Sequence, residues 1–320
     1  MKTVALTRHR HEQSTLTQHR AGRAAKGSAP HGPRRNNVAG YLYVAPAVLV
    51  VVGIVYFAIV YTLRISVLDW DGLSPDPVAV GLDNYVRLVE DAVFWRSLGH
   101  MAMFALAVLV QMALGLGFAI LLHSGVRAKT LYKVLLFLPV VLAPAVMAPV
   151  FRQIFDADGQ LNTMLRAVGL DALAHPWLAD PSTALYALIT INVWQWTGFS
   201  FVLYYAGLTQ VDASLIEAAR IDGAGNWRVI SSLLIPLTRG TTVTLAILGV
   251  IGTIKTFDIP YLVTGGGPAR STEVLATYLY QQGITDFHVG YGAALTVVLM
   301  VMSLVLTVSQ VRRFRLGSEA

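Results

Sequence analysis

No cysteine occurs among the 320 residues, which removes disulfides, thiolate metal sites and cysteine nucleophiles together. Charge is scarce as well. Asp, Glu, Lys and Arg make up 13% of the chain, about half of the roughly 25% usual in soluble domains. Nucleotide and hydrolase signatures are missing too: no G-x-x-x-x-G-K-[ST], H-E-x-x-H or G-x-S-x-G run occurs, and no pair of carboxylates sits inside an apolar run. The chain therefore has no phosphate cradle of its own and no recognisable hydrolytic centre.

What fills the chain instead is apolar. Hydrophobic residues are 55% of it and the mean hydropathy is +0.59, which points to a polytopic helical membrane protein. Five runs, 41–63, 98–122, 134–151, 184–208 and 289–311, contain no Asp, Glu, Lys or Arg, and a sixth, 240–263, is interrupted only by Lys255 and Asp258. Each approaches the roughly 20 residues that a helix needs to cross the hydrocarbon core. None alternates as a barrel strand would. The expected architecture is all-α, with six transmembrane helices. Pro46, Pro139, Pro144 and Pro260 lie in or beside these runs and are read as tolerated within them.

Residues 1–40 differ in kind. They hold eight Lys or Arg, four His and one acid, without an apolar run, and read as a disordered basic tail. Residues 316–320 read as a short second tail. The first apolar run starts late and is long, so it is expected to be an uncleaved span and not a signal peptide. With the N-terminus in the cytoplasm, 17 of the 24 Lys and Arg fall on cytoplasmic segments and six on outer ones, Lys255 lying in a span. That bias favours both termini inside, in a bacterial plasma membrane. It accounts for the net charge of +6 through topology and anionic lipid, with no need for nucleic acid.

The segment between the fourth and fifth runs is the most informative. Ser214 and Glu217 have capping-box spacing, which starts a helix, and Gly223 suits the left-handed position that ends one. A second short helix over 227–235 then meets Pro236. The result is a helix–Gly turn–helix elbow on the cytoplasmic side. Ala218 and Ala219 leave its first helix low enough for a partner backbone to approach; an ordinary amphipathic connector would look much the same.

Glu217-Ala218-Ala219, Gly223 and Leu233-x-Ile235-Pro236 resemble the EAA loop (E-A-A-x3-G-x9-I-x-L-P) of ABC importer permeases, with Leu233 and Ile235 as conservative departures. Trp194-Gln195-Trp196-Thr197-Gly198-Phe199 upstream and Thr264-Gly265-Gly266-Gly267-Pro268 downstream resemble the carbohydrate-uptake branch, the maltose and glycerol-3-phosphate type, in binding-protein-dependent transport. The resemblance runs over about 41–315. It implies a type I importer permease-like fold in which the elbow docks on a separate ATPase dimer that hydrolyses ATP. Glu217 would face that ATPase, and Gly223 would permit the bend. A second, similar permease would supply the other half of the path, and an extracytoplasmic sugar-binding protein would deliver the solute. No cofactor is expected on this chain, and no catalysis by it.

Polar groups at membrane depth are costly and mark a solute path or a packing contact. Asn192, Trp194, Gln195 and Trp196 in the fourth run, and Lys255, Phe257, Asp258 and Tyr261 in the fifth, combine hydrogen-bonding groups with the flat apolar faces that suit sugar rings. Each has a structural alternative: lipid-facing or packing aromatics, interhelical hydrogen bonds, or an ion pair. Lys255 and Asp258, three apart, can pair on one helical face. Gln111 and His100 read as packing or interface groups, and the outer loops 69–91 and 156–180 as solvated connectors or a partner-binding surface. Two alternatives use the same residues: an ion-coupled carrier relaying protons through Lys255 and Asp258, and a permease for a sugar phosphate or glycerol phosphate, which the lack of intramembrane Arg pairs disfavours and Lys255 keeps open.

Overall fold

A computed structural model describes residues 38–124 and 126–318. The basic segment 1–37 and residues 319–320 lie outside the described residues, while 38–40, assigned above to the tail, are helical. The chain divides into two units between Phe57 and Ala58. In the first, helix α1 (Val38–Val51) continues into a π turn, Val52–Tyr56. Helix α2 (Phe57–Ile65) leads into the second.

The second unit is almost wholly helical. A two-residue hairpin, β1 (Leu68–Asp69) against β2 (Val78–Ala79), precedes α3 (Asp83–Glu90), so 69–91 is more ordered than a connector. Buried Asn84 ties it down by donating to the carbonyls of Ser66 and Leu68 at 3.0 and 2.9 Å. Helix α4 (Ala92–His123) has 32 residues and spans about 48 Å, longer at both ends than the expected 98–122. Loop 156–180 contains α7 (Gln160–Ala167) and is pinned by Asn162, fully buried, which donates to the His175 carbonyl at 2.8 Å and accepts from the Trp177 indole at 2.8 Å. Helix α8 (Ala184–Leu208) has the bounds expected for the fourth run. Helix α14 (Val289–Ser318) continues past 311 and takes in most of the expected second tail.

Two expected spans are broken. The run 134–151 is two helices, α5 (Lys129–Val141) and α6 (Pro144–Ile154), bent by 98°. The residue before a proline is pushed out of the helical region; Ala143 is extended, with ψ 136°, and Pro144 opens the next helix, where its missing N–H costs nothing. The run 240–263 is likewise α11 (Arg239–Ile254) and α12 (Asp258–Thr264), separated by Lys255–Phe257. Three helices are long and apolar enough to cross a membrane, Tyr43–Ile65, Ala92–His123 and Val289–Arg312, or up to five if two bent pairs, α5 with α6 and Asn226–Leu237 with α11, are each one span. Helix α8, at 25 residues, has the length but a polar middle.

The helices pack through small residues, as membrane helices do when backbones must approach closely. A Cβ at Gly115 of α4 would lie 2.6 Å from the Ser200 Cβ and 2.7 Å from the Phe201 nitrogen of α8. One at Gly249 of α11 would lie 2.3 Å from Val108 of α4. Around these contacts one apolar cluster gathers Phe104, Leu188 and Ile191. Another gathers Phe201, Tyr204, Leu208, Val229 and Leu234.

Asp91 joins the start of α4 to the last part of the chain. Its Oδ1 accepts from the Val93 amide at 2.8 Å and caps the helix. Its Oδ2 accepts from the hydroxyls of Tyr278, on α13 (Leu275–Tyr280), and of Tyr291 on α14, the latter at 2.6 Å. Burial raises the carboxyl pKa, but the bonds from Tyr278, Tyr291 and the Val93 and Phe94 amides outweigh it and hold it below the usual carboxylate range. A depressed folded-state pKa gives stability that is complete above the unfolded carboxyl's titration and disappears as pH falls through the folded value. Asp91→Ala is expected to cost about 2–3 kcal/mol at neutral pH, from the lost cap and the orphaned hydroxyls. In thermal melts of the detergent-solubilised protein, the gap between wild type and variant should close as pH drops below about 4. A gap independent of pH would refute the account.

Candidate functional site

Helices α4, α6, α8, α11 and α12 enclose a cavity of about 410 Å³. Of the sequence-predicted path residues, Asn192, Gln195, Trp196, Lys255, Phe257 and Asp258 line it. Trp194 and Tyr261 do not. Trp194 turns to Phe151 in an edge contact at 5.2 Å, and Tyr261 stacks on Phe257 at 4.8 Å.

Gln111, read from the sequence as a packing group, belongs to this cavity. Its amide nitrogen donates to the Asn192 side-chain oxygen at 2.8 Å, bridging α4 and α8. A lone Gln in an apolar run gives no hint of this, because its partner lies 81 positions away. Gln195 reaches the Leu142 carbonyl at 3.5 Å, at the bend between α5 and α6 where the regular helical pattern stops. His100 sits elsewhere, its Nδ1 bonded to the Glu273 carbonyl at 2.7 Å.

The expected pairing of Lys255 with Asp258 on one helical face is corrected by the break between α11 and α12. Lys255 is the C-cap of α11 and Asp258 the first residue of α12. Each charge therefore sits where its own helix end favours it, a cation at a C-terminus and an anion at an N-terminus. Among the described residues the single ion pair is Arg166–Asp158. Arg152 of α6 completes the support: its Nε and Nη2 donate to the Val263 and Leu262 carbonyls at 2.7 and 2.6 Å, holding the far end of α12. The Gly-Gly-Gly-Pro segment after α12 is a turn, with Gly265 and Gly266 at φ +61° and +85°.

The elbow is built from α9 (Ala213–Ile221) and α10 (Asn226–Leu237), which bends by 60° into α11. The expected capping box is corrected: the N-cap is Asp212, whose carboxylate accepts from the Ser214 amide at 2.9 Å. Bonds from the Ser214 amide and hydroxyl hold that carboxyl below the usual range. Gly223 ends α9 at φ +81°. Its amide donates to the Arg220 carbonyl at 3.0 Å and the Ala224 amide to the Ala219 carbonyl at 2.9 Å, the two bonds of a Schellman stop. Helix α10 is longer than the expected 227–235 and contains a π turn, Ile230–Leu234, just before Pro236, whose ring and missing N–H forbid a regular turn there.

Ala219 and Leu233 pack on the apolar cluster around Val229 and Leu234. Glu217, Ala218, Gly223 and Pro236 face outward, as do Ile235, at 43%, and the large side chains Ile221 and Trp227, 87% and 78% exposed. Glu217 has no ion pair among the described residues.

Comparison with known proteins places this arrangement. Over 289 residues the chain is 34% identical to a probable ABC transporter permease protein, YurN, of Bacillus subtilis (strain 168), covering 89% of this chain and 99% of that one. It is 32% identical to the lactose transport system permease protein LacF of Rhizobium radiobacter, over 87% of this chain and 94% of that one. A subunit of a bacterial ABC transporter that imports the acidic polysaccharide alginate shares the fold, with TM-score 0.75 at 20% identity over 87% of this chain and 95% of that one. The family described as binding-protein-dependent transport system inner membrane component matches residues 111–313, a stretch that takes in the elbow and, Val108 apart, the cavity lining, and the chain belongs to that family.

Proposed function

We propose that the chain forms half of the path by which an ATP-driven importer carries a neutral sugar across a bacterial plasma membrane. A binding protein delivers the sugar to the outer face, a second permease supplies the other half of the path, and a separate ATPase dimer, docked on the α9–α10 elbow, does the work. The observation that carries the reading is the cavity: amide side chains Gln111, Asn192 and Gln195 beside the Trp196 and Phe257 rings, a set suited to hydroxyl groups on an apolar ring. The lactose permease among the relatives supports a carbohydrate. Lys255 and Asp258 balance each other's charge and no arginine among the described residues lines the cavity, which favours a neutral sugar over a phosphate ester. Family membership and the placing of Lys255 and Asp258 on separate helices argue against a proton relay.

In this reading six crossings leave both termini in the cytoplasm: Tyr43–Ile65, α4, the bent α5–α6 pair, α8, α11 with α12, and α14. The exposed apolar surface of the elbow and Glu217, without an ion pair among the described residues, support its docking on a partner, and in this reading the chain itself performs no catalysis and holds no cofactor.

The complete assembly in proteoliposomes, with its binding protein, should take up a member of a panel of neutral mono- and disaccharides that includes lactose. Asn192→Ala should lower that uptake at least about tenfold, as loss of a buried hydrogen-bonding group does, with ATP hydrolysis in the absence of sugar unchanged. Uptake of sn-glycerol 3-phosphate in preference to every neutral sugar would overturn the substrate class.

A further inference from the structure

Beside the cavity Phe257 joins a second group of rings, whose two tyrosines have no role in the proposed path. Phe257 stands at the break between α11 and α12 with φ −138° and ψ −51°, outside the helical region. Its ring stacks on Tyr261 with 18° between the planes and meets Tyr280 of α13 at 5.5 Å. Tyr261 and Tyr280 meet edge to face at 5.0 Å. The cluster is not part of the apolar interior: Tyr261 is 38% exposed, and Phe257 and Tyr280 are half-buried. Phe257 lines the cavity and also a neighbouring hollow of about 520 Å³ whose wall includes Tyr280. It therefore borders both spaces, and Tyr280 carries the ring cluster from the cavity wall to the second hollow, while Tyr261 lines neither.

Resting on the sugar-path reading, we propose that Phe257, Tyr261 and Tyr280 form a stacking platform for one saccharide ring, contiguous with the cavity but separate from its amide groups. A two-ring sugar would place one ring on the platform and the next among Gln111, Asn192 and Gln195. The chemistry is that of a flat C–H face laid on an aromatic face. Tyr280 is the residue that this assigns anew.

The discriminating experiment measures equilibrium binding of a radiolabelled disaccharide (lactose, or whichever member of the panel is taken up) to the assembled permease–ATPase complex. Tyr280→Leu keeps an apolar surface but no ring, and Tyr280→Phe keeps the ring. Affinity is expected to fall about five- to tenfold in Tyr280→Leu and to stay within about twofold in Tyr280→Phe. Wild-type affinity in Tyr280→Leu, or an equal loss in both variants, overturns the platform and would mark the rings as cover for lipid or a neighbouring helix. The cavity reading survives that result if Asn192→Ala still loses sugar, and fails with the platform if it does not.

Discussion

Leucine in place of Gly198 is expected to abolish accumulation of folded protein, and even Gly198→Ala should cost about 3 kcal/mol, the upper end of overpacking effects. At this position α8 passes directly against the backbone of α5. A Cβ would lie 2.0 Å from the Leu136 carbonyl oxygen, 3.0 Å from its carbon and 3.2 Å from the Phe137 Cα. All three obstacles are main chain, so no rotamer change relieves them. The helices must separate, and with them the Gln195–Leu142 contact at the cavity wall. Gly117 on α4 has no neighbour within 4 Å of such a Cβ, and Gly117→Ala serves as the control. Size-exclusion profiles and thermal melts in detergent read the difference. A wild-type melting temperature in Gly198→Ala would show that the close approach does not hold the bundle together.

The second large effect concerns the elbow. Gly223→Pro removes an amide that donates to Arg220 and forces φ to about −65° where the turn has +81°. The Schellman stop cannot form, and α9 and α10 lose their mutual angle. Sugar uptake is expected to fall to less than about a tenth of wild type, while insertion into the membrane is kept, because the change is confined to one surface turn. Asparagine tolerates the left-handed region, and space at the site is open, so Gly223→Asn should retain most uptake. Glu217→Lys reverses the one acid on the exposed face of α9, and the ATPase should then hydrolyse ATP without moving sugar. Normal uptake in both Gly223→Pro and Glu217→Lys would remove the elbow from the mechanism.

How far these features could be read from residues alone depended on distance along the chain. Helix α8 was legible to its bounds because no charge, proline or turn signal interrupts 184–208. Gly223 was legible because its turn is local. The broken spans could have been read as well: Pro144 pushes Ala143 out of the helix, and the Pro260 ring obstructs the carbonyl four residues back, at Thr256, beside the observed break. Treating prolines as tolerated within long spans concealed both breaks, and with them the separation of Lys255 from Asp258. The capping box was lost to Asp212, a nearer acceptor whose carboxylate already takes the Ser214 amide. The Gln111–Asn192 bond, the Asp91 junction and the Phe257–Tyr261–Tyr280 cluster join residues 81, 187, 200 and about 20 positions apart. No local pattern encodes such pairings, which exist only after the helices have packed.

The π turn and the bends have a consequence for how movement crosses this protein. The elbow and the cavity wall are consecutive parts of one stretch of chain: α10 runs into α11 through a 60° corner, and α11 ends at Ile254, capped by Lys255, two residues before Phe257. Sixteen residues of uninterrupted helix, about 24 Å, separate the corner from the Lys255 end of the cavity. A stroke delivered to α10 would thus have a covalent pushrod to residues that line the cavity, stiff along its axis and jointed at both ends.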